Sequence, residues 1–180
     1  MAAYVSGDRR AFEQLFARLA PRLHRFFRRS FAAEATADDL LQQTFLKLHR
    51  ARETYDPAMR VAPWAFAIAS RVRLDEFRRR KRLAEDGDEE ALARADEAHA
   101  TDPPGGGLDA DTADAVRRAV DALPESQRVV IHLNRFEDMT FAEIARVLGT
   151  TEGAVKLRAF RAYATLRQAL APTVAQGALS

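Results

Sequence analysis

The chain has 180 residues, enough for one ordinary domain or two small ones. It lacks cysteine, which excludes a disulfide framework and a cysteine-ligated metal site. The first residues lack the apolar core of a signal peptide, and the longest nearly apolar run, residues 61–69, is too short to cross a bilayer, so we expect a cytoplasmic protein without membrane insertion.

The formal net charge of +2 conceals a strong segregation of charge along the chain. Residues 1–82 hold 18 Lys/Arg against 9 Asp/Glu, residues 83–115 hold 1 against 11, and residues 116–180 hold 9 against 6. Two basic blocks therefore flank an acidic one. Basic faces of this kind favour a polyanionic partner.

The first 83 residues show the apolar periodicity of four helices, and because no alternating β pattern occurs in the sequence, we predict an all-α fold. The predicted helices cover about 6–20, 21–31, 37–50 and 63–82. Pro21 and Pro63 are expected to open the second and fourth helices, and Thr36 to cap the third. The expected core side chains are Phe12, Leu15, Phe16, Leu19, Leu23, Phe26, Phe27, Leu41, Phe45, Leu48, Phe66 and Ile68.

Residues 84–108 combine an acidic run with a Pro-Pro-Gly-Gly-Gly segment and lack apolar periodicity, which predicts a flexible acidic linker. The linker divides the chain into two small helical domains, 1–83 and 109–171, and residues 172–180 form a short tail. Whether the linker docks on the basic run 78–82 or only tethers the domains is left open.

The second domain ends in a predicted helix-turn-helix. Helices over 109–123 and 124–136 precede a helix over 141–148, which Thr140 and Glu143 begin with a capping box. Gly149 is expected to end that helix, and Thr151 to cap the next one. This is the layout in which a second helix enters the DNA major groove.

A helical wheel of the last helix gives a packed stripe of Val155, Ala159, Ala162 and Leu166. The opposite face holds Gly153, Lys156, Leu157, Phe160 and Arg161. Because cations and apolar side chains share this face, we favour contact with thymine methyl groups and phosphates over scattered surface hydrophobes.

Nothing in the sequence indicates an enzyme, a metal site or a cofactor. The four histidines are scattered, without a carboxylate or second histidine at ligand spacing; they are His24, His49, His99 and His132. The triple glycine is not followed by the Lys-Ser/Thr of a phosphate-binding loop.

Both halves together resemble the extracytoplasmic-function class of bacterial RNA polymerase sigma factors over about residues 8–170. In the first half the matching residues are Asp8, Ala11, Phe12, Leu15, Phe16, Asp38 to Gln42, Thr44, Phe45, Ala62 to Trp64, Ile68, Ala69, Asp75, Arg78 and Arg79. In the second half they are Leu123, Pro124, Gln127, Arg128, Glu143 to Ala145 and Gly153 to Lys156.

The resemblance implies a factor that binds core RNA polymerase and directs promoter-specific initiation in a stress or envelope response. Region two, the first half, would bind polymerase and open the promoter at the minus-ten element. Region four, the second half, would read the minus-thirty-five element as duplex. Promoter DNA and an anti-sigma factor are the other implied partners.

The implied site residues form three groups. On the third helix, polymerase would contact Asp38, Asp39, Gln42, Gln43 and Arg50. The downstream element would contact Tyr55, Asp56, Arg60, Trp64, Arg71, Arg78 and Arg79. The upstream element would contact Arg128, Thr151, Lys156, Leu157, Arg158, Phe160 and Arg161.

Some of these positions depart from the family pattern or allow a second interpretation. Gln43 stands where a glutamate is typical, Arg71 where an asparagine is typical, and Phe160 where many members carry histidine. Trp64 is either a stacking platform for a base or a core residue, and its position early in a helix beside Phe66 favours the core.

The main alternative is a stand-alone helix-turn-helix regulator that does not bind core polymerase. It accounts equally well for residues 109–170. It does not account for the motif from Asp38 to Phe45 or for the basic end of the fourth helix.

Overall fold

The computed structural model describes residues 1–85 and 110–177. Within these residues the chain is helical and contains no strand, which confirms the all-α prediction. The helices are α1 Ala2–Val5, α2 Arg9–Arg28, α3 Glu34–Ala51, α4 Val61–Glu85, α5 Ala110–Asp121, α6 Glu125–Arg135, α7 Phe141–Leu148 and α8 Glu152–Gly177, with a 3₁₀ turn at Arg52–Thr54.

The chain divides into two compact units: the first holds α1 to α4, and the second holds α5, α6, α8 and part of α7. The predicted linker lies outside the described residues except for its first two, which are the last residues of α4. No helix among the described residues is both long enough and apolar enough to cross a bilayer.

Aromatic side chains dominate the core of the first unit, where α3 packs against both α2 and α4. Phe26 and Phe27 of α2 and Phe66 of α4 are almost completely buried. The rings of Phe26 and Phe66 meet edge to face with their centroids 5.3 Å apart, a favourable arrangement for aromatic pairs.

The structure replaces the two predicted helices before residue 31 with the single helix α2, which contains Pro21. Asp8 begins it by accepting hydrogen bonds from the backbone N–H groups of Arg10 and Ala11. Buried side chains continue across Pro21 on one stripe, from Leu19 to Phe27, while the proline itself is exposed. Burial of that stripe outweighs a proline cost of about 3 kcal/mol.

The start of α3 also differs from the prediction, because the helix begins at Glu34 and Thr36 does not cap it. The Thr36 hydroxyl instead accepts a hydrogen bond from Arg80 Nη2 of α4 at 3.0 Å. The cap was predicted because Thr36 lies at a plausible start of a helix. Its hydroxyl instead forms a hydrogen bond with a residue that is distant in sequence.

Helix α1 was not predicted, and it holds Tyr4 in the first unit. Tyr4 is buried, its ring stacks on Phe12 at 5.4 Å, and its hydroxyl lies 2.9 Å from His49 Nδ1. Burial raises the pKa of Tyr4 above its ordinary value, against the opposing charge of Arg52.

In the second unit α8 packs against α5 and α6. Leu123, Ile131 and Ala162 form a buried cluster against which Leu166 packs. Helix α8 continues through Pro172 to Gly177, so most of the predicted tail belongs to this helix.

Candidate functional site

Local capping positions the helix-turn-helix as predicted. Thr140 N–H donates to Glu143 Oε2 at 2.9 Å, and Glu143 N–H donates to Thr140 Oγ1 at 3.2 Å, which completes the capping box of α7. Gly149 has φ +62°, the left-handed conformation that favours glycine after a helix. Thr151 Oγ1 then accepts a hydrogen bond from Ala154 N–H at 3.2 Å and caps α8.

The two faces of α8 are those that the helical wheel predicted. Val155, Ala159 and Ala162 are buried and Leu166 is half-buried. The opposite face is exposed along its length and consists of Gly153, Lys156, Leu157, Phe160 and Arg161. We call these five residues the recognition face.

The recognition face presents apolar side chains between cations. Phe160 is 72% exposed and Leu157 is 49% exposed, so neither belongs to a second buried surface. Lys156 and Arg161 are exposed on either side of them. Such a face can contact thymine methyl groups centrally and phosphates or guanine edges at its margins. The neighbouring Arg158 is half-buried, and Thr151 is exposed.

The prediction that Arg128 contacts DNA is contradicted by the structure. Its side chain is 8% exposed, and its Nε and Nη2 atoms donate to Glu125 Oε2 at 3.1 and 2.8 Å. Its Nη1 atom donates to the backbone oxygen of Asp121 at 2.9 Å. The guanidinium group therefore links the end of α5 to the start of α6 and is not presented to a phosphate.

The predicted polymerase-binding residues lie on the outer face of α3. Asp38, Asp39, Gln42, Gln43 and Arg50 are all exposed. The Asp38 carboxylate also contacts α2, because its Oδ1 atom lies 3.3 Å from Nε2 of His24 on that helix.

This face also has an apolar component, which is not among the residues predicted from the sequence. Leu46 is 60% exposed, one turn from both Gln42 and Arg50. Phe16 was expected in the core but is 44% exposed. A groove of about 360 Å³ between α2 and α3 is lined by Phe12, Phe16, Leu41, Gln42, Phe45, Leu46 and His49. The exposure of Leu46 could have been predicted from the sequence, since on a helical wheel Leu46 lies opposite the buried Leu48.

The loop before α4 is shaped by its own polar and aromatic side chains. The Tyr55 hydroxyl donates to the backbone oxygen of Met59, and the Asp56 carboxylate accepts from Ala58 N–H at 2.9 Å. Trp64 is half-buried, and its ring meets Tyr55 edge to face at 5.0 Å. Trp64 therefore supports this loop and is not a fully buried core residue.

The pKa of Tyr55 reflects its place in the loop. Burial, and then the negative charge of Asp56, raise this pKa above its ordinary value. The hydroxyl of Tyr55 therefore remains a neutral hydrogen-bond donor throughout the physiological pH range. Arg60, also predicted to contact DNA, is exposed at the end of the same loop.

Two predicted DNA-binding residues of α4 line a cavity of about 460 Å³ beside α3. Arg71 and Arg78 share its wall with Lys47, Ala51, Ile68 and Asp75. The Asp75 carboxylate lies 3.6 Å from both Lys47 Nζ and Arg78 Nη1. Two cations therefore pair with one carboxylate, and a third, Arg71, lines the same cavity, an arrangement suited to a nucleic-acid strand.

The basic end of α4 is organised by the buried carboxylate of Glu76. Arg79 donates to it through Nε at 2.7 Å and Nη2 at 2.8 Å, and Arg80 donates through Nε at 2.8 Å. Burial alone would raise the pKa of Glu76, but the hydrogen bonds from Arg79 and Arg80 outweigh it and hold this pKa below its ordinary value. Arg79 remains 59% exposed despite its ion pair.

Comparisons with known families match both halves of the chain. Residues 15–83 match the Sigma-70 region 2 family and residues 113–166 match the Sigma-70, region 4 family. The RNA polymerase sigma factor CarQ of Myxococcus xanthus is 34% identical over 174 residues, covering 94% of this chain and 95% of that protein. The ECF RNA polymerase sigma factor SigM of Mycobacterium tuberculosis is 35% identical over 170 residues, covering 94% of this chain and 82% of that protein.

Solved structures agree with these matches. The sigma factor RpoE, in complex with the anti-sigma factor NepR from Bartonella quintana, matches with a TM-score of 0.73 and 25% identity over 89% of this chain and 96% of that chain. CnrH, in complex with the cytosolic domain of CnrY, matches with a TM-score of 0.65 and 29% identity over 95% of this chain and 94% of that chain.

Proposed function

The chain belongs to the extracytoplasmic-function class of RNA polymerase sigma factors, and we propose how its two units divide the work of that class. A sigma factor binds core RNA polymerase and directs initiation at specific promoters. The match of residues 15–83 to region 2 disfavours a stand-alone regulator, which has no need of such a domain. In this function the chain itself carries out no catalytic step.

In the second unit, the recognition face of α8 enters the major groove of the upstream promoter element. The observation that carries this assignment is the exposure of Leu157 and Phe160 between Lys156 and Arg161 on a capped second helix. The two apolar side chains contact thymine methyl groups, and the cations contact phosphates or guanine edges.

In the first unit, the outer face of α3 binds polymerase while the loop and α4 act on the downstream element. Asp39, Gln42, Gln43 and Arg50 surround the exposed Leu46, which gives an apolar contact with a polar rim. The cavity between α3 and α4 that Arg71 and Arg78 line accepts the melted strand by phosphate contact.

An anti-sigma factor is the remaining partner in the proposal. One solved structure that the chain resembles holds the sigma factor RpoE in complex with the anti-sigma factor NepR, and another holds CnrH in complex with the cytosolic domain of CnrY. We infer that an anti-sigma factor likewise binds this chain and holds it inactive. Pull-down with the chain as bait, in the uninduced cell, should recover a protein that core polymerase displaces.

Each unit makes few base contacts, so the free chain should bind promoter DNA weakly until polymerase fixes the spacing of the two units. Footprinting tests this directly. The chain with core polymerase should protect both promoter elements at physiological salt, and the free chain should protect neither. Tight protection by the free chain would favour the stand-alone regulator.

The apolar part of the recognition face has its own test. A double variant with Leu157→Ala and Phe160→Ala should weaken holoenzyme binding to the upstream element by about 1–3 kcal/mol. The salt dependence should not change, because no charge is removed. A fully active double variant would place these side chains away from DNA.

A further inference from the structure

Asp75 is an acidic side chain in the cavity between α3 and α4, whose other charged residues are cations. The α3 side of this cavity consists of Lys47 and Ala51, and the α4 side consists of Ile68, Arg71, Asp75 and Arg78. Arg71, Asp75 and Arg78 follow one another at spacings of four and three residues, which places them on one face of α4. A carboxylate in the middle of this face repels phosphates, so Asp75 does not itself hold a strand.

Asp75 also contributes little to the fold, in contrast to the adjacent Glu76. Glu76 is buried and accepts hydrogen bonds at 2.7 and 2.8 Å from two arginines of its own helix. Asp75 is 59% exposed, and its oxygens lie 3.6 Å from Lys47 Nζ and from Arg78 Nη1. Exposed ion pairs with this geometry add little to stability. The pairs of Asp75 are therefore ones that another anion can replace.

Both partners of Asp75 are cations that a strand in the cavity would contact. The Lys47 and Arg78 side chains are 47% and 65% exposed, so their charged ends reach solvent. Lys47 lies on α3 and is not among the residues predicted from the sequence to bind DNA. A phosphate presents anionic oxygens to the same donors that the carboxylate uses. Carboxylate and phosphate therefore compete for Lys47 and Arg78.

We propose that Asp75 is a built-in competitor of strand phosphates for Lys47 and Arg78. In the free chain the carboxylate keeps both cations from binding nucleic acid non-specifically. In the polymerase complex the melted strand is held beside the cavity at high effective concentration and displaces the carboxylate. Asp75 is thus a specificity-determining residue, and Lys47 is a further contact to the strand. This rests on the proposed entry of the melted strand into this cavity.

The test is equilibrium binding of the full chain, without polymerase, to a fluorescent single-stranded oligonucleotide of about 15 nucleotides at several salt concentrations. Asp75→Asn should raise the affinity roughly fivefold at low salt, because two exposed ion pairs no longer compete with the strand. The slope of log affinity against log salt should steepen by roughly 0.7, because one more net positive charge becomes available to a phosphate.

Glu13→Gln is the matched control, since it also removes one exposed carboxylate from the first unit and frees a cation, Arg9, whose Nε lies 3.2 Å from Glu13 Oε1. It should change the affinity by less than about twofold and leave the salt slope unchanged, because it lies outside the cavity. A double-mutant cycle gives a local readout. Lys47→Ala should cost more affinity in the Asp75→Asn background than in wild type, where Lys47 must first leave Asp75.

Three results would overturn the proposal. Equal effects of Asp75→Asn and Glu13→Gln, or an equal cost of Lys47→Ala in both backgrounds, would mean that Asp75 only repels the strand through space. Weaker binding by Asp75→Asn would mean that the carboxylate orients the cations for the strand. Arg71→Ala separates these failures from that of the cavity itself: if it leaves single-strand binding unchanged in every background, the cavity does not take the strand and its proposed function fails.

Discussion

Glu76→Gln is the substitution that most directly tests how the first unit holds its basic end together. Glu76 is 8% exposed and accepts three hydrogen bonds, two from Arg79 and one from Arg80. Arg80 also donates to Thr36 of α3 and lies over the Phe31 ring at 4.8 Å. Removing the carboxylate charge therefore loosens a contact between α3 and α4.

The magnitude follows from the exposure of the two arginines. A hydrogen bond to a charged group contributes about 1.5–3 kcal/mol. Arg79 is 59% exposed, so water replaces most of the hydrogen bonding that it loses. Arg80 is only 17% exposed, so its lost hydrogen bond is replaced less completely. Because glutamine still accepts one bond, we expect Glu76→Gln to lower the free energy of unfolding by about 2 kcal/mol.

The effect should depend on pH in one direction. The pKa of Glu76 lies below its ordinary value, so its carboxylate stabilises the folded state at neutral pH. That contribution is complete above the unfolded-state pKa of about 4.3 and is lost as the pH falls through the folded-state pKa. Wild type and variant should therefore converge in acid.

Urea unfolding followed by tryptophan fluorescence measures the change in the free energy of unfolding, because Trp64 is the single tryptophan of the chain and lies on α4. At pH 7 the midpoint of Glu76→Gln should fall by about 1–2 M. Asp75→Asn is the control, since Asp75 is 59% exposed, its partners lie at 3.6 Å, and its loss should cost less than about 0.5 kcal/mol. Equal midpoints for Glu76→Gln and wild type at pH 7 would refute the reasoning.

Two further predictions concern the interfaces. Lys156→Ala and Arg161→Ala should each weaken holoenzyme binding to the upstream element by about 1–3 kcal/mol if the cation contacts a base edge. If the cation contacts a phosphate, the variant should instead weaken binding to all sequences evenly and reduce the salt slope by about 1. A salt titration of holoenzyme binding distinguishes these two outcomes. The double variant Asp39→Ala with Gln42→Ala should reduce affinity for core polymerase by about tenfold. Its helix content, measured by circular dichroism, should stay unchanged because both side chains are exposed. Loss of helix content would show that this face is buried.

Much of the second unit could be predicted because its signals are local. The capping box of Thr140 and Glu143, the left-handed Gly149 and the Thr151 cap all act within four residues, and the structure confirms each of them. The same holds for the recognition face, since periodicity within one helix determines which residues are exposed.

What could not be predicted depends on contacts distant in sequence. Pro21 signals a helix start, but the core stripe on both sides of it keeps α2 continuous. Thr36 signals a cap, but its hydroxyl accepts a hydrogen bond from Arg80, forty-four residues later. Arg128 is a cation beside a predicted DNA-binding helix, and only the fold shows that Glu125 and Asp121 hold it.

Run-off transcription on genomic fragments tests the central claim most directly. Core polymerase alone should give no discrete products, and addition of this chain should give discrete transcripts from a small subset of fragments that share two spaced elements. The same experiment with the Asp39→Ala and Gln42→Ala double variant should give weaker products from the same start sites. If the chain binds fragments tightly on its own and core polymerase gives no specific transcript with it, the account is contradicted.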